Sequence, residues 1–277
     1  MSLPVPASCS LQMVDDVVAE RQGGPNAAFF SLIAPTWREK VEEYIAKGGS
    51  PEFIEAWPAV DHKRETFLNL YVSPALGSVQ RHALGLLRNH DLTLCPSCGE
   101  SGRPNTLDHY LPKYRYPHFC VTPINLFPMC DACQREKAEK TGDAAAPRFF
   151  LHPYFDVFIA QQVISLLVEP PYEAPTFRLV ASPTLTAAQS ALVVSHMREL
   201  RIAERYAHFF RGQNRRLLRL VDHMRTSAQD ISANLTGFAH SAAHPTQNSW
   251  DHIFYIAVLS NVDWLDYLTN AALPPYL

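Results

Sequence analysis

Apolar positions along this chain recur at two periods. Over residues 37–46, Val41, Tyr44 and Ile45 fall on one side and Glu42 and Glu43 on the other, which predicts a helix. Gly48-Gly49 stops it. Further helices are predicted over residues 51–57, 62–71 and 79–90, with Ser73-Pro74 as a break and Leu84, Leu86 and Leu87 apolar in the last. Before residue 36 the periodicity fades among Pro and Gly, so residues 1–35 read as a partly ordered arm. Toward the other end, Val193, Met197, Leu200, Ala203, Ala207 and Phe210 recur at steps of three and four, and Leu217, Leu220, Val221 and Met224 continue the series. Residues 186–224 therefore read as helical, with Gly212 bending or splitting the element, and a last helix is predicted over 250–270. Two short β-type runs, 163–168 and 176–180, flank a Pro-Pro-Tyr-Glu-Ala-Pro segment and read as a hairpin.

The chain has 277 residues, nearly half of them apolar, which is enough to bury a sizeable core. Its formal net charge of −3 gives no overall attraction to nucleic acid, so such a contact would need a local basic surface. The start, Met-Ser-Leu-Pro-Val-Pro, lacks the basic residues and apolar run of a signal peptide, and no apolar stretch is long enough to cross a membrane. These features lead us to expect a cytoplasmic protein with no membrane partner. In that compartment paired cysteines are more often metal ligands than disulfides.

Four of the six cysteines form two Cys-x-x-Cys pairs, Cys95/Cys98 and Cys130/Cys133. A two-residue gap lets both sulfurs of a tight turn face one ion, and two such pairs close a tetrahedral zinc site with no open position. A site of that kind is structural, and its binding energy, about 10–16 kcal/mol in zinc-finger peptides, appears as folding energy. The bland alternative is four ordinary buried cysteines. Cys9 and Cys120 stand outside the pattern and read as small apolar residues.

Between the pairs lies Leu107-Asp108-His109-Tyr-Leu-Pro112-Lys113. Neighbouring residues in a strand point to opposite faces, so Asp108 and His109 need a twist or turn to serve one site. The chemistry that suits them is phosphodiester hydrolysis, with a neutral imidazole as base and a carboxylate on a divalent cation. Lys113 and Lys137 are open to two readings, phosphate contact or ordinary solvated lysines. His152 is either an accessory site residue or a packed histidine, and packing is the preferred reading. Arg198, Arg201, Arg205, Arg211, Arg215, Arg216 and Arg219 make one region of the long helical segment basic. Arg201, Arg205, Arg215 and Arg219 are candidates for nucleic-acid contact. The alternatives are a solvated face or a dock for an acidic partner.

Taken together, Cys95, Cys98, Leu107-Asp108-His109, Pro112-Lys113, Asn125-Leu126, Cys130, Cys133 and Lys137 resemble the HNH nuclease family, whose ββα-metal core is often framed by two cysteine pairs. The resemblance implies an α+β fold, mainly helical around a zinc-framed ββα-metal core. It also implies that His109 is the general base, Asp108 a ligand for Mg²⁺ or Mn²⁺, and Asn125 a brace for the loop between strand and helix. The position after the last cysteine, usually His or Asn, is Gln134, one methylene longer than Asn, which would alter the geometry or affinity of the catalytic cation. The wider phrases Phe67-Leu-Asn-Leu-Tyr71, Tyr116-Pro117 and Leu151-His-Pro-Tyr-Phe-Asp156 look like bacterial HNH proteins of Septu-type phage defence, which work beside an ATPase. The expected organisation is a helical region at 1–91, the nuclease core at 92–156 and a hairpin and helical region at 157–277. The expected function is cleavage of DNA rather than RNA, leaving 5′-phosphate and 3′-hydroxyl ends. The rival expectation is a decayed zinc-knuckle module that only binds nucleic acid or a partner protein.

Overall fold

The structure is a computed structural model that describes residues 1–275. It is an α+β protein, mainly helical, with two small two-stranded antiparallel sheets. The chain divides into two compact units. One comprises residues 2–97 and 102–157; the other runs from Phe158 onward and includes residues 98–101 and Met1.

The first unit begins with α1 (Ser10–Glu20) and α2 (Ala27–Ala46), where the sequence pattern predicted an arm followed by a shorter helix. The misleading residue is Pro35, which lies inside α2 and removes one backbone donor. Burial outweighs that loss, because Phe30, Trp37, Val41 and Tyr44 form one buried stripe along α2. The rings of Phe30 and Trp37 meet Phe67 edge-on at 5.9 and 5.1 Å, and the Trp37 indole donates to the His118 carbonyl at 2.6 Å. After α2 the chain turns tightly at Gly49, with φ +66°, where a Cβ would stand 2.6 Å from the Tyr44 hydroxyl. Residues 51–57 form no helix. Trp57 precedes Pro58 and is driven to a non-helical φ of −113° and ψ of 82°. A short 3₁₀ turn then leads into α3 (Arg64–Val72), followed by α4 (Val79–Arg88).

β1 (Thr106–His109) pairs antiparallel with β2 (Leu126–Met129), in a register that sets Asp108 opposite Phe127 and His109 opposite Leu126. α5 (Asp131–Lys137) follows directly and completes a ββα unit. Leu84 of α4 packs against Leu107 and Leu126, with Tyr71 and Leu87 at the edge of that cluster, and so fixes the helical region to the hairpin.

In the second unit, β3 (Ile164–Glu169) and β4 (Thr176–Ala181) form the expected hairpin. α6 (Ala187–Glu199) opens with a capping box between Thr186 and Gln189. α7 (Ile202–Thr226) is continuous through Gly212. The break falls instead at Arg201, whose φ of 50° is left-handed. Leu200 and Ile202 are both fully buried, and two such residues two apart cannot share one helical face, so the chain re-phases between them. α8 (Ile231–Ala242) begins at an Asp230 cap. The segment over 250–270 divides at Asn261, whose side chain caps α10 (Val262–Asn270) after α9 (Trp250–Ser260). Phe177, Phe210, Phe254 and Trp264 form the aromatic centre of this unit. Among the described residues no helix is long and apolar enough to cross a membrane.

Candidate metal centre and active site

Local structure brings the cysteines together. Cys130 is extended at the position just before α5, while Cys133 lies in the first turn of that helix, so both point from one short corner. The sulfurs of Cys95, Cys98, Cys130 and Cys133 all lie within 4.8 Å of one another. A tetrahedral zinc ion with Zn–S bonds of about 2.3 Å would hold its sulfurs about 3.8 Å apart, so spacing and donor type both fit. The Cys130 amide donates to the Cys95 sulfur at 3.4 Å, the kind of contact that steadies a thiolate ligand. At the turn beyond Cys98, Gly99 has φ +76°, and a Cβ there would strike the Asn248 carbonyl. The Cys98 carbonyl accepts from Tyr206 at 3.0 Å and from Trp250 at 2.6 Å. Cys120 has a different role: its thiol is buried, donates to the Phe67 carbonyl at 2.9 Å and is pushed upward in pKa by burial. Cys9 is exposed ahead of α1.

One turn beyond the metal corner, α5 presents Gln134 and Lys137 to β1. The Gln134 amide nitrogen Nε2 donates to Asp108 Oδ1 at 3.4 Å, so its oxygen faces away from the carboxylate, and the Lys137 ammonium lies 3.0 Å from Asp108 Oδ2. The lysine contact is an ion pair without hydrogen-bond alignment, so Oδ2 makes no hydrogen bond. Lys137 also donates to the His109 carbonyl at 2.6 Å. It is 1% exposed, so it is neither a solvated lysine nor placed to touch a phosphate, the two readings the sequence offered. Burying a lone ammonium is costly, and here the carboxylate and the carbonyl offset that cost.

His109 ends β1 and is itself buried. Its Nε2 lies 2.9 Å from the Cys120 carbonyl. A carbonyl can only accept, so Nε2 carries the proton and Nδ1 keeps the lone pair. Burial pulls the imidazole down to a pKa of about 3; the Cys120 hydrogen bond opposes this, and Lys113, Lys137 and Arg88 add to it. The ring is therefore neutral at physiological pH and stands among cationic side chains. The Tyr71 ring packs edge-on against it at 4.4 Å.

Asn125 is fully buried and uses its whole amide. Oδ1 accepts from the Leu111 amide at 2.8 Å and the Tyr44 hydroxyl at 3.0 Å; Nδ2 donates to the Leu111 and Phe119 carbonyls at 3.1 and 3.2 Å. It thus ties together both ends of the loop joining β1 to β2. His152 lies behind it as a packed residue. Its Nδ1 accepts from the Tyr154 amide at 3.2 Å, and Nε2 donates to Tyr44 Oη at 3.1 Å, leaving the Tyr44 proton for Asn125. Burial lowers its pKa well below the usual range.

The remaining candidates separate by environment. Lys113 is partly exposed and sits 4.9 Å from the Tyr114 ring centroid. Arg201 grips Glu204 through two nitrogens, and Arg205 pairs with Glu100 at 2.8 Å. Arg215 and Arg219 are exposed on α7. The structure adds Arg88 of α4, which the sequence pattern did not single out: its guanidinium lies 5.5 Å from the Tyr71 ring centroid. No local motif marks Arg88, because it comes within range of His109 only when α4 packs on the hairpin.

The geometry defines a ββα unit with a four-cysteine cluster compatible with zinc, beside a buried Asp-His pair. The chain is similar to protein ea31 of Escherichia phage lambda, with 31% identity over 115 residues. The match spans 40% of this chain and about two fifths of the relative's own length. No protein-family profile matches the chain, and neither does any solved structure.

Proposed function

We propose that this chain is a metal-dependent endonuclease of the HNH type, acting on DNA in phage defence beside an ATPase partner. The observation that carries the proposal is His109, a neutral histidine pinned through Nε2 with its Nδ1 lone pair left as the base, directly next to the Asp108 carboxylate. In this reading His109 Nδ1 takes a proton from water as the water oxygen attacks phosphorus. The 3′-oxygen leaves with its electron pair and gains a proton from solvent, giving 5′-phosphate and 3′-hydroxyl ends. Arg88 and Lys113 offset the phosphate charge, Lys137 is committed to Asp108 and the His109 carbonyl, and Asn125 acts as a positioning residue that keeps the β1–β2 loop in shape. The Asp108 carboxylate, together with Gln134 Oε1 once the amide turns over, would offer hard oxygen donors to Mg²⁺ or Mn²⁺, which when bound would neutralise the phosphate and stabilise the leaving oxygen.

One observation favours a second reading. The Lys137 ammonium already answers the charge of Asp108, as expected of a module that keeps the knuckle and binds without cutting. Incubating the purified protein with plasmid and Mn²⁺ separates the two. The nuclease reading predicts nicking that His109→Ala abolishes while zinc content stays unchanged. It also predicts that Gln134→Asn keeps or improves cutting and that Gln134→Ala weakens it. Wild type as inert as His109→Ala with every divalent metal, and with the ATPase partner present, would establish the binding module instead.

A further inference from the structure

The second unit contains a cleft of about 370 Å³ between the β3–β4 loop and α7. Three arginines, Arg211, Arg215 and Arg219, stand along its helical wall. Each is four residues from the next, so on a helix rising 1.5 Å per residue they form a row with steps of about 6 Å on one face. None of the three pairs with a carboxylate among the described residues, whereas Arg198, Arg201 and Arg205 all do. The one acid at the rim, Glu173, is exposed. The wall therefore carries three uncommitted guanidiniums spread over about 12 Å, longer than a single phosphate can span.

The floor has a different chemistry. Phe177 lines it, held from behind by Phe210 and Trp264 at 5.6 and 6.1 Å, so its ring is a rigid apolar surface. Asn214 lines the same cleft, is 3% exposed, and has an Oδ1 buried without a hydrogen-bond partner. A buried amide oxygen left unmatched loses the hydrogen bond it made in water, and a ligand donor would recover it.

We infer that this cleft binds nucleotides of a single-stranded nucleic acid. Successive phosphates lie along the arginine row. One base sits flat over the apolar floor and offers an N–H to Asn214. A duplex keeps its bases stacked and paired, out of reach of such a cleft, whereas a single strand can place one there. The inference uses no residue of the Asp108–His109 site and stands whether or not that site cuts.

The test is fluorescence anisotropy of the full-length protein with a labelled 12-nucleotide DNA strand of mixed sequence. The zinc-loaded protein is used without added Mg²⁺ or Mn²⁺, which suppresses any cleavage and leaves the cysteine cluster loaded, and salt is varied around 0.1 M. Replacing Arg211, Arg215 and Arg219 together by Gln should weaken binding about 100-fold at 0.1 M salt and flatten the salt dependence by about 2 in log–log slope. Asn214→Leu should weaken binding about fivefold with the slope unchanged. Arg198→Gln, an arginine paired with Glu199 and outside the cleft lining, should bind as wild type does, and plasmid nicking is read separately so that the two readings fail independently. The triple variant should lose at least about tenfold less affinity for a 12-base-pair duplex than for the strand. The inference is overturned if the triple variant matches wild type in affinity and slope. A triple variant that loses as much affinity for duplex as for strand, or free ATP binding as tightly as the oligonucleotide, overturns it equally.

Discussion

His118 offers a quantitative check on the packing around the candidate site. It is fully buried, its ring lies 4.0 Å from Phe119 and 5.4 Å from Trp57, and neither ring nitrogen has a hydrogen-bond partner. Burial, with a smaller contribution from Lys40, pulls its pKa from 6.5 to about 3. The unfolded chain therefore takes up a proton at a pH where the native state does not. Native stability is full above pH 6.5 and falls by about 1.4 kcal/mol per pH unit between 6.5 and 3. From pH 7.5 to 5.0 this one residue removes about 2 kcal/mol. His118→Leu keeps an apolar filling, removes a buried N–H that lacks an acceptor, and cannot titrate. The Trp37 hydrogen bond goes to the backbone carbonyl of residue 118 and survives the change. Urea unfolding followed by tryptophan fluorescence at the two pH values measures the difference, and other titrating groups cancel between the two proteins. The variant should gain about 2 kcal/mol on wild type at pH 5.0 relative to pH 7.5. An equal loss of stability in both proteins on acidification would refute the account of His118 as a neutral, unpartnered histidine.

Three further outcomes follow from the site. Asn125→Ala leaves the Leu111 amide and the Tyr44 hydroxyl without their acceptor, so unfolding free energy should drop by about 3 kcal/mol or more, with faster hydrogen exchange at Leu111. Lys137→Met strands the buried Asp108 carboxylate and should cost about 3–5 kcal/mol. Adding Asp108→Asn should restore much of that, giving a favourable coupling in a double-mutant cycle, and strict additivity would remove the ion pair from the account. Cys133→Ser should lower bound zinc, read by atomic absorption, together with helical circular dichroism; a zinc-free variant with full helicity would contradict a structural cluster.

What sequence alone determined here is whatever a few neighbouring residues encode. The two Cys-x-x-Cys spacings are local, and the knuckle geometry follows from the two-residue gap together with the extended backbone of Cys130 just ahead of α5. The hairpin over 164–181 was legible because β-type runs flank a proline-rich turn, and α4 because its apolar period is short-range. Tertiary structure decided what depends on burial between distant segments. It made α2 continuous through Pro35, because Phe30 and Trp37 have Phe67 to pack against. It broke the long helical pattern at Arg201 rather than Gly212, because Leu200 and Ile202 both had to be buried. The site divides in the same way. Asp108 and His109 are adjacent in sequence, but their environment is not. Lys137 is buried against Asp108, Cys120 fixes the imidazole tautomer, and Arg88 reaches its neighbourhood from another helix. A side chain's charge state and hydrogen-bond partners depend on what excludes water from it, and the order of residues along the chain does not record that.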